Sequence, residues 1–148
     1  MIGHFSNTAK EVMGRAGWHA QKYEHFYRDT NHLLLALSEE EGNAVDSLFS
    51  MHQFTIEQIE SGLLALSPVG SWGISMGRVP NTKNVEAALI GAERWRIWFQ
   101  VRSVEPEHIL LGVLQGRNKA VELLHHLGVS PIQFRDDLLE SIGVHPPI

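Results

Sequence analysis

Two stretches hold the side chains best placed for chemistry: YRDTNHLLLALS, from Tyr27, and SVEPEHILLGVL, from Ser103. Each sets a histidine, His32 or His108, directly before three aliphatic residues, and the residue before it is Asn31 in one and Glu107 in the other. The chain has 9 histidines and no cysteine, so disulfides, thiolate metal sites and a cysteine nucleophile are excluded. His125 and His126 are adjacent, and His19 and His25 stand six apart. Neither pair has the i, i+4 spacing of a helical metal site. No metal or cofactor is expected. His32 and His108 read as structural, just inside helix starts where a ring packs and bonds locally. Acids, serines and histidines are present without a phased set of nucleophile, base and orienting group, so the expectation is a protein that is not an enzyme.

A second concentration of reactive surface is AERWRIWFQVR, residues 92–102. Trp95 and Phe99 follow Ala92 at helical spacing and are expected on the core face. Trp98 and Ile97 point elsewhere, ringed by Arg94, Arg96 and Arg102. Ordinary packing competes there with a docking patch, since exposed Trp and Arg are typical interface anchors; Trp98 and Arg94 are the candidate contacts. Trp72 belongs with either. Net charge is −5, which disfavours nucleic acid because no basic excess exists to displace counterions. Stacking residues without a basic track do not change that. No segment approaches the ~20 apolar residues of a membrane span, so neither nucleic acid nor membrane is an expected partner, and a cytoplasmic location is the default.

The elements that position these groups come in two copies. His32 and His108 differ by 76 positions, and the same offset pairs Ala16 with Ala92, Leu34 with Leu110, Leu48 with Leu124, Ile56 with Ile132 and Leu63 with Leu139. The matches are mostly apolar and three, four or seven apart, as core positions of helices are. Each copy predicts four short helices. In the first, Ser6 caps a helix with Ala9, Val12, Met13 and Ala16 on one face. Asp29 or Thr30 caps the second, the third follows Gly42, and Thr55 with Gln58 forms a capping box for the fourth. In the second copy, Asn81 or Thr82 opens helix five, Glu105-Pro106 helix six, and Ser130-Pro131 helix eight, with Ala120 in helix seven. No alternating β-branched run signals a strand. The expected fold is all-α, one domain over 1–148: repeat one over 1–66, a Gly/Pro/Ser-rich linker over 67–80, and repeat two over 81–148. Residues 1–66 carry 4 Lys/Arg and 9 Asp/Glu, against 8 and 8 in residues 67–148, so the copies share a pattern and differ in charge. Glu39-Glu40-Glu41 reads as a solvated helix end able to repel an anion.

At this level of detail the chain resembles the Clp amino-terminal domain, the double repeat at the front of ClpC- and ClpA-type AAA+ unfoldases. The family's GTEHILLGL text is similar to EPEHILLGV at 105–113 and DTNHLLLAL at 29–37; its F-T-x-x-A-x-x-V opening is similar to FSNTAKEV at 5–12; and VELLHHLGV at 121–129 resembles its third helix. No Walker A string occurs. The resemblance implies an all-helical, pseudo-twofold module, eight helices in two quartets, that docks adaptors and substrate proteins. In some bacterial members it implies recognition of phosphorylated arginine by the glutamate of each GTEH and the threonine opening each repeat. Carried over by position, Glu107 and Thr82 are retained, while Asn31 replaces the glutamate and Ser6 the threonine of the first copy. Asn31 supplies no charge for a guanidinium, and Thr8 and Asn84 stand where the family has an arginine. At most one pocket is therefore expected to survive.

The function so implied is a stand-alone binding protein for a protein partner: a Clp unfoldase or protease subunit, an adaptor or a client. It would modulate delivery to a Clp protease through the helix starts and the groove between the halves, with Glu107 and Thr82 as polar anchors. The competing reading is a sensor or decoy for a small molecule or cyclic peptide, and a third is a piece excised from a longer unfoldase. Oligomeric state is open.

Overall fold

The computed structural model describes residues 2–70 and 79–143. Most of the expected linker, with Trp72, lies outside the described residues. A short 3-10 turn, Ile2–His4, precedes eight helices: α1 (Asn7–Lys22), α2 (Thr30–Ser38), α3 (Ala44–Met51), α4 (Ile56–Leu66), α5 (Lys83–Phe99), α6 (Pro106–Leu114), α7 (Lys119–His126) and α8 (Pro131–Ser141). Among the described residues there is no strand, only two isolated parallel bridges.

Local chemistry starts these helices. Ser6 Oγ accepts from Ala9 N at 3.0 Å and Thr82 Oγ1 from Val85 N at 3.2 Å. Thr55 and Gln58 cap each other reciprocally, and Asn43 and Asn118 accept from Asp46 N and Val121 N. Such side chains fill donors that the first helical turn leaves unpaired.

The two histidine-led helices form the centre. LLLAL and ILLGVL have no polar face, and a helix apolar all round must be covered on every side; Leu33 through Leu37 and Ile109 through Leu111 are fully buried. The other helices wrap them crosswise. The third helix of each repeat packs on the other repeat, α3 on α6 and α8, α7 on α2 and α4. One contiguous core results. Small residues permit the closest crossing: a Cβ on Gly112 would lie 2.1 Å from Ala88 O, and one on Gly62 2.2 Å from Leu123 Cδ1.

The duplication is visible as symmetry in the backbone. Ser6 N donates to Val104 O (3.0 Å) and Val104 N to His4 O (2.8 Å). At the same offset of 76, Thr82 N donates to Arg28 O (3.1 Å) and Arg28 N to Pro80 O (2.8 Å). The start of each repeat's first helix is thereby stitched to the start of the other repeat's second helix.

One surface expectation is corrected. The Glu39-Glu40-Glu41 run is not a solvated end: Glu40 is 7% exposed and ion-paired with Arg15, and Glu39 meets His19 Nε2 at 2.6 Å. Only Glu41 is exposed. Arg15 and His19 reach over from α1, and their proximity follows from helix packing, not from sequence spacing.

Candidate functional site: two junctions and an axial cleft

Each stitched contact is a junction of two helix starts. At the first, Thr82 Oγ1 donates to Asp29 Oδ1 at 3.1 Å, joining the caps of α5 and α2 across 53 positions. At the second, Ser6 Oγ donates to Glu105 Oε1 at 2.8 Å, joining the caps of α1 and α6 across 99 positions. Glu107 follows two residues after Glu105, and Asn31 two after Asp29. The structure therefore separates the two retained family residues: Glu107 belongs with Ser6 at the second junction, and Thr82 with Asn31 at the first. Glu107 and Thr82, the expected polar anchors, thus stand at different junctions, because the repeats exchange their helix starts.

Both histidines act as caps. Asp29 N donates to His32 Nδ1 (2.9 Å) and Glu105 N to His108 Nδ1 (2.8 Å). An acceptor Nδ1 requires a ring with its proton on Nε2. Burial first, then the neighbouring His25, His19, Lys119 and Arg28, lowers the His32 pKa to about 3, and burial with Arg96 lowers that of His108 to about 4. Both rings are neutral at pH 7. Among the described residues, no group of three His, Asp or Glu side chains is arranged to hold a metal.

The junction pockets differ in chemistry. The first, about 240 Å3, is lined by His25, Asp29, His32, Ser67 and Lys119 among others. Asn31 is buried beneath it, donating to Ser67 Oγ at 3.1 Å and accepting from His32 N at 3.0 Å. Lys119 Nζ lies 3.3 Å from Ser67 Oγ and 3.9 Å from Asp29 Oδ2, so the chain supplies its own cation there. The second pocket, about 380 Å3, is lined by Phe99, Val101, Arg102, Glu105, Glu107 and Ile142 among others. Glu107 is half-buried. Burial first, then the charges of Glu105 and Glu40, hold its pKa above the ordinary carboxylate value. A half-buried carboxylate facing other carboxylates is suited to a ligand cation.

The end of α5 borders this second pocket. Trp95 and Phe99 are half-buried against the core, while Ile97 and Trp98 are 59% and 62% exposed. Trp98 stands edge-on to Phe99 at 5.1 Å, and Phe99 leans on His108 at 5.3 Å. Arg94 is exposed one turn before Trp98 and is not among the residues that line the pocket.

A concavity of about 500 Å3 lies between the halves, walled by Phe5, Met13, Trp18, Val79 and Leu89 with Gly14 and Gly17 of α1, and edged by Lys10, Gln21, Arg28 and Asn81. A Cβ on Gly14 would meet nothing within 4 Å. The sequence reading placed a groove between the halves without naming its lining. The signal available was the pair of glycines inside an otherwise capped helix, where glycine is costly and needs a reason. Lys119 and Ser67 also went unnoticed, since they meet the first junction only through the crossed packing of α7 and α4.

A duplicated helical module with paired helix-start pockets and an open cleft between its halves is the class these features define. The chain belongs to the Clp repeat (R) N-terminal domain family, whose sequence profile matches residues 4–127. Over 96% of its length it is 30% identical to a probable ATP-dependent Clp protease ATP-binding subunit of Chlamydia pneumoniae, of which it spans 17%. Over 97% it is 30% identical to the negative regulator of genetic competence ClpC/MecB of Bacillus subtilis, of which it spans 18%. The chain thus spans less than a fifth of these relatives. The N-terminal domain of the chaperone ClpD from Arabidopsis thaliana superposes with a TM-score of 0.81 at 17% identity, covering 96% of each chain. The Hsp104 N-terminal domain from Candida albicans gives 0.79 at 16%, covering 94% of this chain and 91% of that one.

Proposed function

We propose that this chain is a non-enzymatic protein-binding module that captures a segment of a client, an adaptor or a Clp ring component and modulates its delivery to a Clp protease. The observation that carries the reading is the axial cleft. It is lined by the exposed Trp18 over the largely buried Phe5, Met13, Val79 and Leu89, with Lys10, Gln21, Arg28 and Asn81 beside them, and a concave, mostly apolar surface of this volume is the usual mark of a binding site. Similarity to the front of Clp ATP-binding subunits supports the assignment of the cleft to protein capture. Polar groups at the junctions would then fix register: Glu107 with Ser6 at the second junction, Thr82 at the first, with Trp98 and Arg94 as contacts at the rim.

Within this reading the second junction is the one pocket for a guanidinium, phosphorylated or not. It has Glu107 where the first has Asn31, and Lys119 already stands at the first. A pull-down with the full chain, read by mass spectrometry, is expected to recover Clp unfoldase or protease subunits. Their consistent absence beside a positive control contradicts the proposal. Calorimetry with phosphoarginine tests the pocket separately: one site is expected, lost in Glu107→Ala, and no binding by the unmodified chain removes the pocket while leaving the cleft. A cyclic peptide titrated in parallel tests the decoy reading, which would use the same cleft.

A further inference from the structure

The segment leaving α4, residues 67–70, lies across the first junction and is held there by four contacts, from α2, from α7 and from the turn after α1. Asn31 Nδ2 and Lys119 Nζ both reach Ser67 Oγ. His25 Nε2 meets Pro68 O at 3.0 Å, and Gly70 N donates to Tyr23 O at 2.9 Å. The seat is tight: a Cβ on Gly70 would lie 2.2 Å from Glu24 O. Under this strap Asn31 has no exposure, and His32 almost none.

The bond to Pro68 is the end of a chain whose proton positions are all determined. The Asp29 backbone N–H can only donate, so His32 Nδ1 accepts and His32 carries its proton on Nε2. His32 Nε2 faces His25 Nδ1 at 2.8 Å, so His25 Nδ1 accepts. His25 then carries its proton on Nε2, where the Pro68 carbonyl, which can only accept, receives it. A backbone donor at one end and a backbone acceptor at the other leave a single assignment with both rings neutral. A proton added to His25 would be placed on Nδ1, pointing at the Nε2–H of His32. One added to His32 would displace the Asp29 N–H. Either breaks the relay.

We propose that residues 67–70 form a strap closed over the first junction by the neutral His25–His32 relay, and that acidification opens it. The surroundings set the direction. Lys119 of α7, Arg28 of the α1–α2 turn and His19 of α1 face the pair as cations or potential cations and oppose a further positive charge, as does burial of His32. Asp29 at the α2 cap and Glu24 in the turn favour it, but Asp29 is held by Thr30 N, Thr82 and Lys119. Glu60 of α4 is engaged by Tyr23 and Lys22. Among the described residues the second junction lacks these groups: Val101 stands at the place of His25 and Gly143 at that of Ser67, and neither can make the same side-chain bonds. Among the described residues, the latch of the first junction thus has no counterpart at the second.

The test uses the full chain. At about pH 7.5, nitrogen-15 spectra of the imidazoles are expected to show His25 and His32 neutral with the proton on Nε2. Amide exchange of Gly70, corrected for intrinsic rate and referenced to Leu110 in the core, is expected to lose about tenfold in protection by about pH 5, the loss of roughly one hydrogen bond. His25→Val, which installs the residue of the second copy, is expected to give low Gly70 protection at both pH values with Leu110 unchanged. Gly70 protection that tracks Leu110 at both pH values overturns the proposal. So does a His25 proton on Nδ1 at pH 7.5, a result that stands even if the variant fails to fold.

Discussion

At the scale of single residues, the two junctions are built from the same four positions and differ by charge. Glu107 sits where burial and neighbouring carboxylates raise its pKa. A raised carboxylate pKa means the folded state prefers the proton, so the charged form costs stability above the folded pKa, and the cost vanishes as pH falls below the unfolded value. Glu107→Gln is therefore expected to stabilise the fold at pH 7 by roughly 0.5 kcal/mol in urea unfolding, with the gain gone by about pH 4. The same substitution should weaken binding of a cationic ligand, a split between stability and affinity that marks a residue kept for recognition. His32 and His108 run the other way. Their folded pKa values, about 3 and about 4, lie below the ordinary 6.5, so their contribution is complete above pH 6.5 and is lost as pH falls toward 4. Unfolding free energies measured across that window are expected to decline, with a shallower slope in His108→Gln.

At the scale of elements, the helices follow from local text because their causes are local. Ser6, Thr55, Thr82 and Ser130 each cap a helix within three or four residues, and the uninterrupted aliphatic runs of α2 and α6 can only be central. The partner of each cap hydroxyl was not legible. Ser6 meets Glu105 and Thr82 meets Asp29 only because the repeats cross, and no periodicity encodes a crossing. The same cause hid the burial of Glu40 under Arg15 and the place of Lys119. Glycine positions test the packing directly. In α1, Gly14→Ala meets open space and should stabilise by about 0.5–1 kcal/mol through helix propensity. In α6, Gly112→Ala drives a methyl into Ala88 O and should cost about 1–3 kcal/mol. Thermal melts of the two variants are expected to shift in opposite directions.

At the scale of the whole molecule, crossing makes the duplication obligatory. Each half leaves the apolar faces of its second and third helices to be covered by the other half, within a single core. Segments 1–70 and 79–143 expressed separately are expected to be unfolded or aggregated by circular dichroism and light scattering, and the full chain to unfold in one transition. The same geometry places a cleft between the halves, and protein capture in that cleft is the central functional claim. Gly14 gives the sharpest means of testing it, because it lines the cleft and a Cβ there meets nothing within 4 Å. A purified Clp partner recovered with the chain, titrated against the chain itself and against Gly14→Leu, is the most direct measurement. The account predicts at least about a tenfold loss of affinity in the plugged variant with its melting temperature unchanged or raised. Equal affinity of the two forms would contradict it.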